Sequence, residues 1–276
     1  MTELVSDPRM VAELVRGPYP RPILMPNPFS PEIFHTLIAG FEEVLADTQR
    51  EQWMLDPKTH NNGLIRRDPT KEDPYIDPKW MWHYSLHEFW NVAHKAGLDT
   101  SRHACFLQLC HETILTGIKT VLPIIHELDT QLSGYAFERN FLAADCFLRL
   151  IKDDPPLILG RHEVATPHED FSFCTFHWYE TRPHLLWFNE QTEAWVPVDF
   201  DDMRNQPVVF FLGRKAALMT GGKREIEPDG TQSKRVVRSS GILRPVNHRV
   251  IEVGPLEELT TSRYAAVLFF HTPLVP

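Results

Sequence analysis

The sequence predicts a mainly β protein with α content, a jelly-roll core behind a helical front. Three observations support this. Up to about residue 140 the apolar residues recur at helical spacing. From Phe141 the texture changes to short β-type runs separated by turns. Many short strands at such intervals indicate a sandwich or barrel, and helices followed by strands fit helices packed on one. The chain has 276 residues, enough for one large unit with a sizeable core. The expected division is a helical and extended region over 1–140 and a β core over 141–276, forming one structural unit.

Taken in order, the first 28 residues read as extended, with Pro18, Pro20, Pro22, Pro26 and Pro28. A helix should begin after Ser30, a good N-cap, with Pro31 at its first position. Ile33, Leu37, Ile38, Phe41, Val44 and Leu45 form its apolar stripe. Residues 52–80 read as a polar loop, either a pocket cover or plain surface. Helical character returns over Leu86–Lys95 and from Arg102 to Leu132, where Pro123 should kink the helix. That last stripe reads as core packing.

The expected strands are Cys146–Ile151, Phe171–Tyr179, residues 184–189, Ala194–Val198, Val208–Leu212, residues 235–238, residues 247–253 and Tyr264–His271. Between them, residues 222–241 are rich in charge and read as a solvated hairpin or loop, with a lid as the alternative. The mouth of a jelly roll is a natural place for a ligand pocket.

Composition excludes several classes. A net charge of −9 argues against general nucleic-acid binding. Apolar residues at 42% and charged residues at 24% are ordinary for a globular chain. No apolar run approaches a membrane span, and the first residues carry neither a basic nor an apolar segment of a signal peptide. Cys105, Cys110, Cys146 and Cys174 have no zinc-type spacing. They read as reduced core cysteines of a cytoplasmic protein.

One constellation carries chemistry. His168-Glu169-Asp170 is followed far downstream by His248. Two imidazoles and one carboxylate can hold one face of an octahedral Fe(II), leaving three adjacent positions for other ligands. On a strand, residues two apart share a face, so His168 and Asp170 should point together. The second His should come from another strand. With 14 His and 37 acidic residues, an isolated H-x-D arises easily by chance. The ordered set carries the argument: the H-x-D, then His248-Arg249-Val250, then Arg263 opening an apolar strand. His35, His87, His126, His177 and His184 lack such a frame, and His177 reads as a strand residue near the pocket.

From Phe147 onward the chain resembles the isopenicillin N synthase-like group of 2-oxoglutarate and Fe(II)-dependent oxygenases. Leu148 to Pro156 resembles that group's strand ending in a Y-P-P motif. Pro167-His168-Glu169-Asp170-Phe171 resembles its first metal motif. Trp195-Val196-Pro197-Val198, Val208–Gly213 and Met219-Thr220-Gly221-Gly222 resemble its W-x-x-V, V-V-N-x-G-D and L-T-N-G segments. His248-Arg249-Val250 resembles its H-R-V, and Arg263-Tyr264-Ala265 with Phe269-Phe270 its R-Y-S and F-F ending. The resemblance spans about the last 130 residues.

It implies a double-stranded β-helix with an N-terminal helical region. It further implies Fe(II) held by His168, Asp170 and His248, with 2-oxoglutarate as co-substrate held at its far carboxylate by Arg263. The implied activity is dioxygen-dependent hydroxylation of a C–H bond of a small molecule, releasing succinate and CO2. An oxidase, cyclase or desaturase of the same fold is the first alternative, and a metal- or ligand-binding jelly roll without turnover the second. The chain departs from the pattern at Ala265, where the group has Ser, and at Asp154, where it has Tyr. Asp154 should therefore point away from the co-substrate. The partners implied are a small molecule and dioxygen, with neither nucleic acid nor membrane.

Overall fold

The computed structural model describes residues 5–55, 62–68, 78–155, 163–182, 185–198, 206–226, 232–237, 241–251 and 260–271. Its elements are α1 (Pro8–Val15), β1 (Ile23–Met25), α2 (Pro31–Ala46), β2 (Gly63–Arg67), β3 (Lys79–Ser85), α3 (Phe89–Lys95), α4 (Ala104–Gln131), α5 (Phe137–Leu142) and β4 (Asp145–Asp153). They continue with β5 (Glu163–His168), β6 (Cys174–Glu180), β7 (Leu185–Asn189), β8 (Ala194–Pro197), β9 (Val208–Leu212), α6 (Arg214–Met219), β10 (Lys223–Ile226), β11 (Gln232–Val237), β12 (His248–Ile251) and β13 (Arg263–His271). Two antiparallel sheets face each other. The larger runs β1-β9-β6-β13-β4-β3-β2 and the smaller β5-β12-β7-β8. This is the expected jelly-roll sandwich. Among the described residues no helix is long and apolar enough to cross a membrane.

The larger sheet buries both faces. Leu148, Leu150, Ala266, Leu268 and Phe270 point toward the helices and join the main core with Phe34, Phe41, Leu107, Ile114 and Val121. The long helix α4 lies close on β13 because Gly117 leaves room; a Cβ there would overlap the Leu268 side chain. On the other face Leu24, Val209 and Phe211 meet Val164, Leu185, Val198 and Val250 of the smaller-sheet side. Phe147, Val267 and Phe269 form a separate small cluster on that inner face. The inner space between the sheets is therefore only partly filled by apolar side chains.

Several expectations need correction. The Pro-rich N-terminus is not wholly extended. Asp7 caps α1, accepting from the Arg9 N–H at 2.9 Å, and Pro8 sits at its first turn. That is the signature read at Ser30 and Pro31, overlooked here because the helix has only eight residues. The expected loop over 52–80 contains β2 and the start of β3; residues 56–61 and 69–77 lie outside the described residues. With β1, these strands give the first 140 residues three places in the larger sheet. Pro123 lies inside α4, which covers the segment expected to be helical. The charged segment after Gly222 contains the antiparallel pair β10–β11, as expected for a hairpin, with residues 227–231 and 238–240 outside the described set.

Candidate metal centre and the cations around it

Strand pairing explains why residues eighty apart meet. β5 and β12 are antiparallel neighbours, and His168 and His248 are direct partners across them. Their rings lie 4.3 Å apart. Asp170 is not on the strand, contrary to the two-residue argument. β5 ends at His168, and Asp170 lies in the turn that follows, its backbone carbonyl accepting from the Arg214 N–H at 2.7 Å. The turn brings the carboxylate to the histidines where the pleat was expected to.

Asp170 Oδ1 stands 3.5 Å from His168 Nε2 and 3.8 Å from His248 Nε2. One ligand atom from each residue lies within 4.8 Å of the others. Adjacent corners of an octahedron with bonds of about 2.1 Å are about 3 Å apart, so a small contraction suits a metal ion. The tautomers fit as well. His168 Nδ1 donates to Thr166 O at 2.7 Å and His248 Nδ1 to Val246 O at 3.1 Å. Each ring thus turns a lone pair on Nε2 toward the common centre, the arrangement a divalent cation needs.

The surroundings tune the three groups. Thr175 Oγ1 donates to Asp170 Oδ2 at 2.6 Å and lies 2.9 Å from Ser172 Oγ. That bond fixes the carboxylate and leaves Oδ1 for the centre. Burial opposes the Asp170 charge, but the two histidines and Thr175 outweigh it and hold the acid below the usual carboxylate range. Burial pushes His248 down to about 4, keeping it neutral. At His168, burial opposes protonation but Asp170 and the Thr166 carbonyl prevail and raise its pKa. His248 also packs against Phe211, ring to ring at 4.5 Å. His168 is the open side of the centre, with 43% of its side chain exposed against 7% for His248.

Arg263 lies on the inner face of β13 but already holds partners. Its guanidinium is 2.7 Å from Asp153 Oδ2 and 2.7 Å from Glu180 Oε2, and its Nε donates to Arg182 O at 3.2 Å. Lys79 Nζ is 3.4 Å from Asp153 Oδ1, and His177 Nε2 contacts Glu180 Oε1. A buried row of alternating charge thus crosses four strands. Burial disfavours charge at Glu180, but Arg263 and His177 outweigh it and hold the acid well below the usual range. Asp153 is the direct partner of Arg263 across β4 and β13. Asp154, one residue on, points to Arg66 at 2.6 Å, away from this row as expected.

Sequence reading missed Thr175, Asp153, Glu180 and Arg149. Arg149 sits mid-strand on the inner face of β4, opposite Val267 and His83. A charged residue between Leu148 and Leu150 in a buried strand was the available signal.

Comparisons with known proteins bear on the fold. No family model matches the chain, and no curated protein does. Solved structures do. Dioxygenase for auxin oxidation 1 from Arabidopsis thaliana, in its 2-oxoglutarate complex, superposes with a TM-score of 0.68 at 14% identity, over 99% of this chain and 94% of that one. A 2OG-Fe(II) oxygenase family protein from Caulobacter crescentus gives 0.70 at 16% identity, over 98% and 86%. The dioxygenase for auxin oxidation in rice gives 0.64 at 12% identity, over 97% and 78%.

Proposed function

We propose that this chain, whose fold is that of the 2-oxoglutarate and Fe(II)-dependent oxygenases, is itself such an oxygenase acting on a small molecule. The single observation that carries the proposal is the centre made by His168, Asp170 and His248, with both Nε2 lone pairs directed at the Asp170 carboxylate. These three residues would hold Fe(II), which supplies the activation of dioxygen that no side chain can provide. The overall reaction is balanced when one oxygen atom enters a substrate C–H bond and the other enters succinate, with CO2 released from 2-oxoglutarate. Asp170 fills the third protein corner, which leaves no place for a halide and argues for hydroxylation over halogenation. A cytoplasmic setting belongs to the same proposal, since Cys110, Cys146 and Cys174 are buried free thiols.

Arg263 remains the proposed anchor for the far carboxylate of 2-oxoglutarate. That carboxylate must displace Asp153 or Glu180 from the guanidinium, so the grip is not preformed. The same pairing favours a second reading, an oxidase of this fold that draws its electrons from the substrate alone. One assay separates the two. Protein reconstituted with Fe(II) without oxygen is mixed with 2-oxoglutarate, then oxygenated, and succinate is measured. Succinate formation that disappears in His168→Ala is expected. Metal-dependent dioxygen uptake without succinate would assign the oxidase, and full iron occupancy in His168→Ala would overturn the centre.

A further inference from the structure

Arg263 is covered by two carboxylates, but a second, half-buried guanidinium on the same inner face is not. Arg149 Nε donates to His83 Nε2 at 2.7 Å, and the group lies over Phe269 at 4.6 Å and Phe147 at 5.6 Å. Among the described residues no carboxylate lies within ion-pair distance of it. Burial pushes its pKa down to about 10, a sign of a cation lacking close compensation. The Phe269 beneath it is the direct cross-strand partner of Thr175, which holds Asp170, so Arg149 stands on the metal-centre side of the inner face, and its charge acts on Asp170, His168 and His271. Lys215, buried on α6 with its Nζ 5.2 Å from the Phe171 ring, also acts on His271. Asp145 is the acid that partly offsets Lys215, and it already accepts from Ser85 Oγ at 2.8 and 2.7 Å.

Around Arg149 the walls are aromatic. Phe147 stacks on Phe269 at 4.9 Å and on His271 at 4.9 Å, and Phe171 lies 6.1 Å from His271. A cation at the end of an aromatic wall suits a molecule with an apolar body and an anionic end. Arg149 is four residues from Asp153 along β4, about 13 Å at ordinary strand rise, so it and Arg263 serve separate carboxylates.

We propose that the substrate is a small amphipathic carboxylic acid whose carboxylate is held by Arg149 while its apolar body lies against Phe147, Phe269 and Phe171. This deepens the oxygenase reading and rests on it for the word substrate, but binding can be tested without turnover. The probes are benzoate, phenylacetate, cinnamate and octanoate, each paired with its primary amide. Affinities are measured by saturation-transfer NMR on the Zn(II)-loaded protein, with 2-oxoglutarate titrated separately. At least one acid should bind tenfold or more tighter than its amide. Arg149→Met, whose apolar stem keeps the contact with Phe147 and Phe269, should erase that preference, and Arg149→Lys should restore part of it. Thermal unfolding checks that both variants fold. The affinity for 2-oxoglutarate should change by less than twofold.

A preference that survives in Arg149→Met overturns the proposal, as does a panel in which no acid exceeds its amide. Loss of 2-oxoglutarate affinity with the acid preference intact would overturn it too, assigning Arg149 to the co-substrate. An Arg149-dependent acid preference in a protein that binds no 2-oxoglutarate would instead support the inference while the co-substrate reading fails.

Discussion

Thr175 shows how one hydroxyl serves the centre without touching the metal position. It donates to Asp170 Oδ2, and this holds the carboxylate plane so that Oδ1 faces His168 and His248. Partners of metal ligands typically contribute about 10–100-fold in metal affinity. Thr175→Val keeps the shape and removes the donor. It should weaken Co(II) or Mn(II) binding by about tenfold, measured by titration calorimetry, with the fold unchanged by circular dichroism. Unaltered affinity would mean the hydroxyl only satisfies Ser172. The H-x-D motif was visible in the sequence because ligand chemistry restricts residue type. Thr175 was not, because one among many strand threonines carries no such mark until Asp170 is placed beside it.

At the scale of elements, the turn after β5 and the start of α6 position Asp170 together. The Arg214 and Lys215 N–H groups donate to Asp170 O and Ser172 O at 2.7 and 3.1 Å. This approach needs Gly213, since a Cβ there would overlap Ser172 O and stand 2.8 Å from Asp170 O. Those atoms are backbone and cannot swing aside. Gly213→Ala should therefore displace the Asp170 turn and lower metal affinity at least tenfold with less effect on overall helix and sheet content, read by calorimetry and circular dichroism. Wild-type metal affinity in Gly213→Ala would refute the coupling.

The ion row across the larger sheet is a second element-scale device. Glu180→Gln removes one charge opposite Arg263 and leaves a buried cation with one carboxylate fewer. Breaking a buried pair from one side costs on the order of 3–5 kcal/mol. A loss of roughly that size is expected in urea unfolding. The pH sign follows from the depressed Glu180 pKa. Its stabilisation is complete above the ordinary Glu range and is lost as pH falls below it, because the unfolded chain then binds a proton that the folded chain does not. The wild type should lose more stability than Glu180→Gln between about pH 5 and 3. Parallel curves for the two proteins would remove Glu180 from the row.

For the whole molecule, the order of helices then strands and most of the C-terminal strands were legible, because short runs of β-forming residues and the turn residues between them are local signals. β1, β2 and β3 were not. They are short or lie among polar residues, and only pairing makes them strands, β1 with β9, β3 with β4, and β2 with β3. The same limit applied to the site. Residue types marked the candidate ligands, while the partners of Arg263 depended on the register that sets Asp153, and not Asp154, opposite it.

That register also predicts how metal should act on the entire fold. His168 and His248 face each other across β5 and β12, which stand together at one side of the smaller sheet, and Asp170 begins the link to β6 in the larger one. An ion bound to all three ties the two sheets together, and the unfolded chain cannot present the three groups in this geometry. Binding to the native state alone stabilises by about 2.7 kcal/mol when free metal is a hundred times its dissociation constant. For a chain of this size that corresponds to a rise in Tm of roughly 5–8 °C. Mn(II) or Co(II) should raise Tm by about that amount under these conditions, a chelator should reverse it, and His248→Ala should abolish the shift. Because a protonated His168 cannot bind and its pKa is raised above the ordinary histidine value, the shift should shrink as pH falls through and below that range. Scanning calorimetry at pH 7.5 and 5.5, with and without metal, measures both effects. A shift equal in size for the wild type and His248→Ala would show that the ion binds elsewhere on the surface.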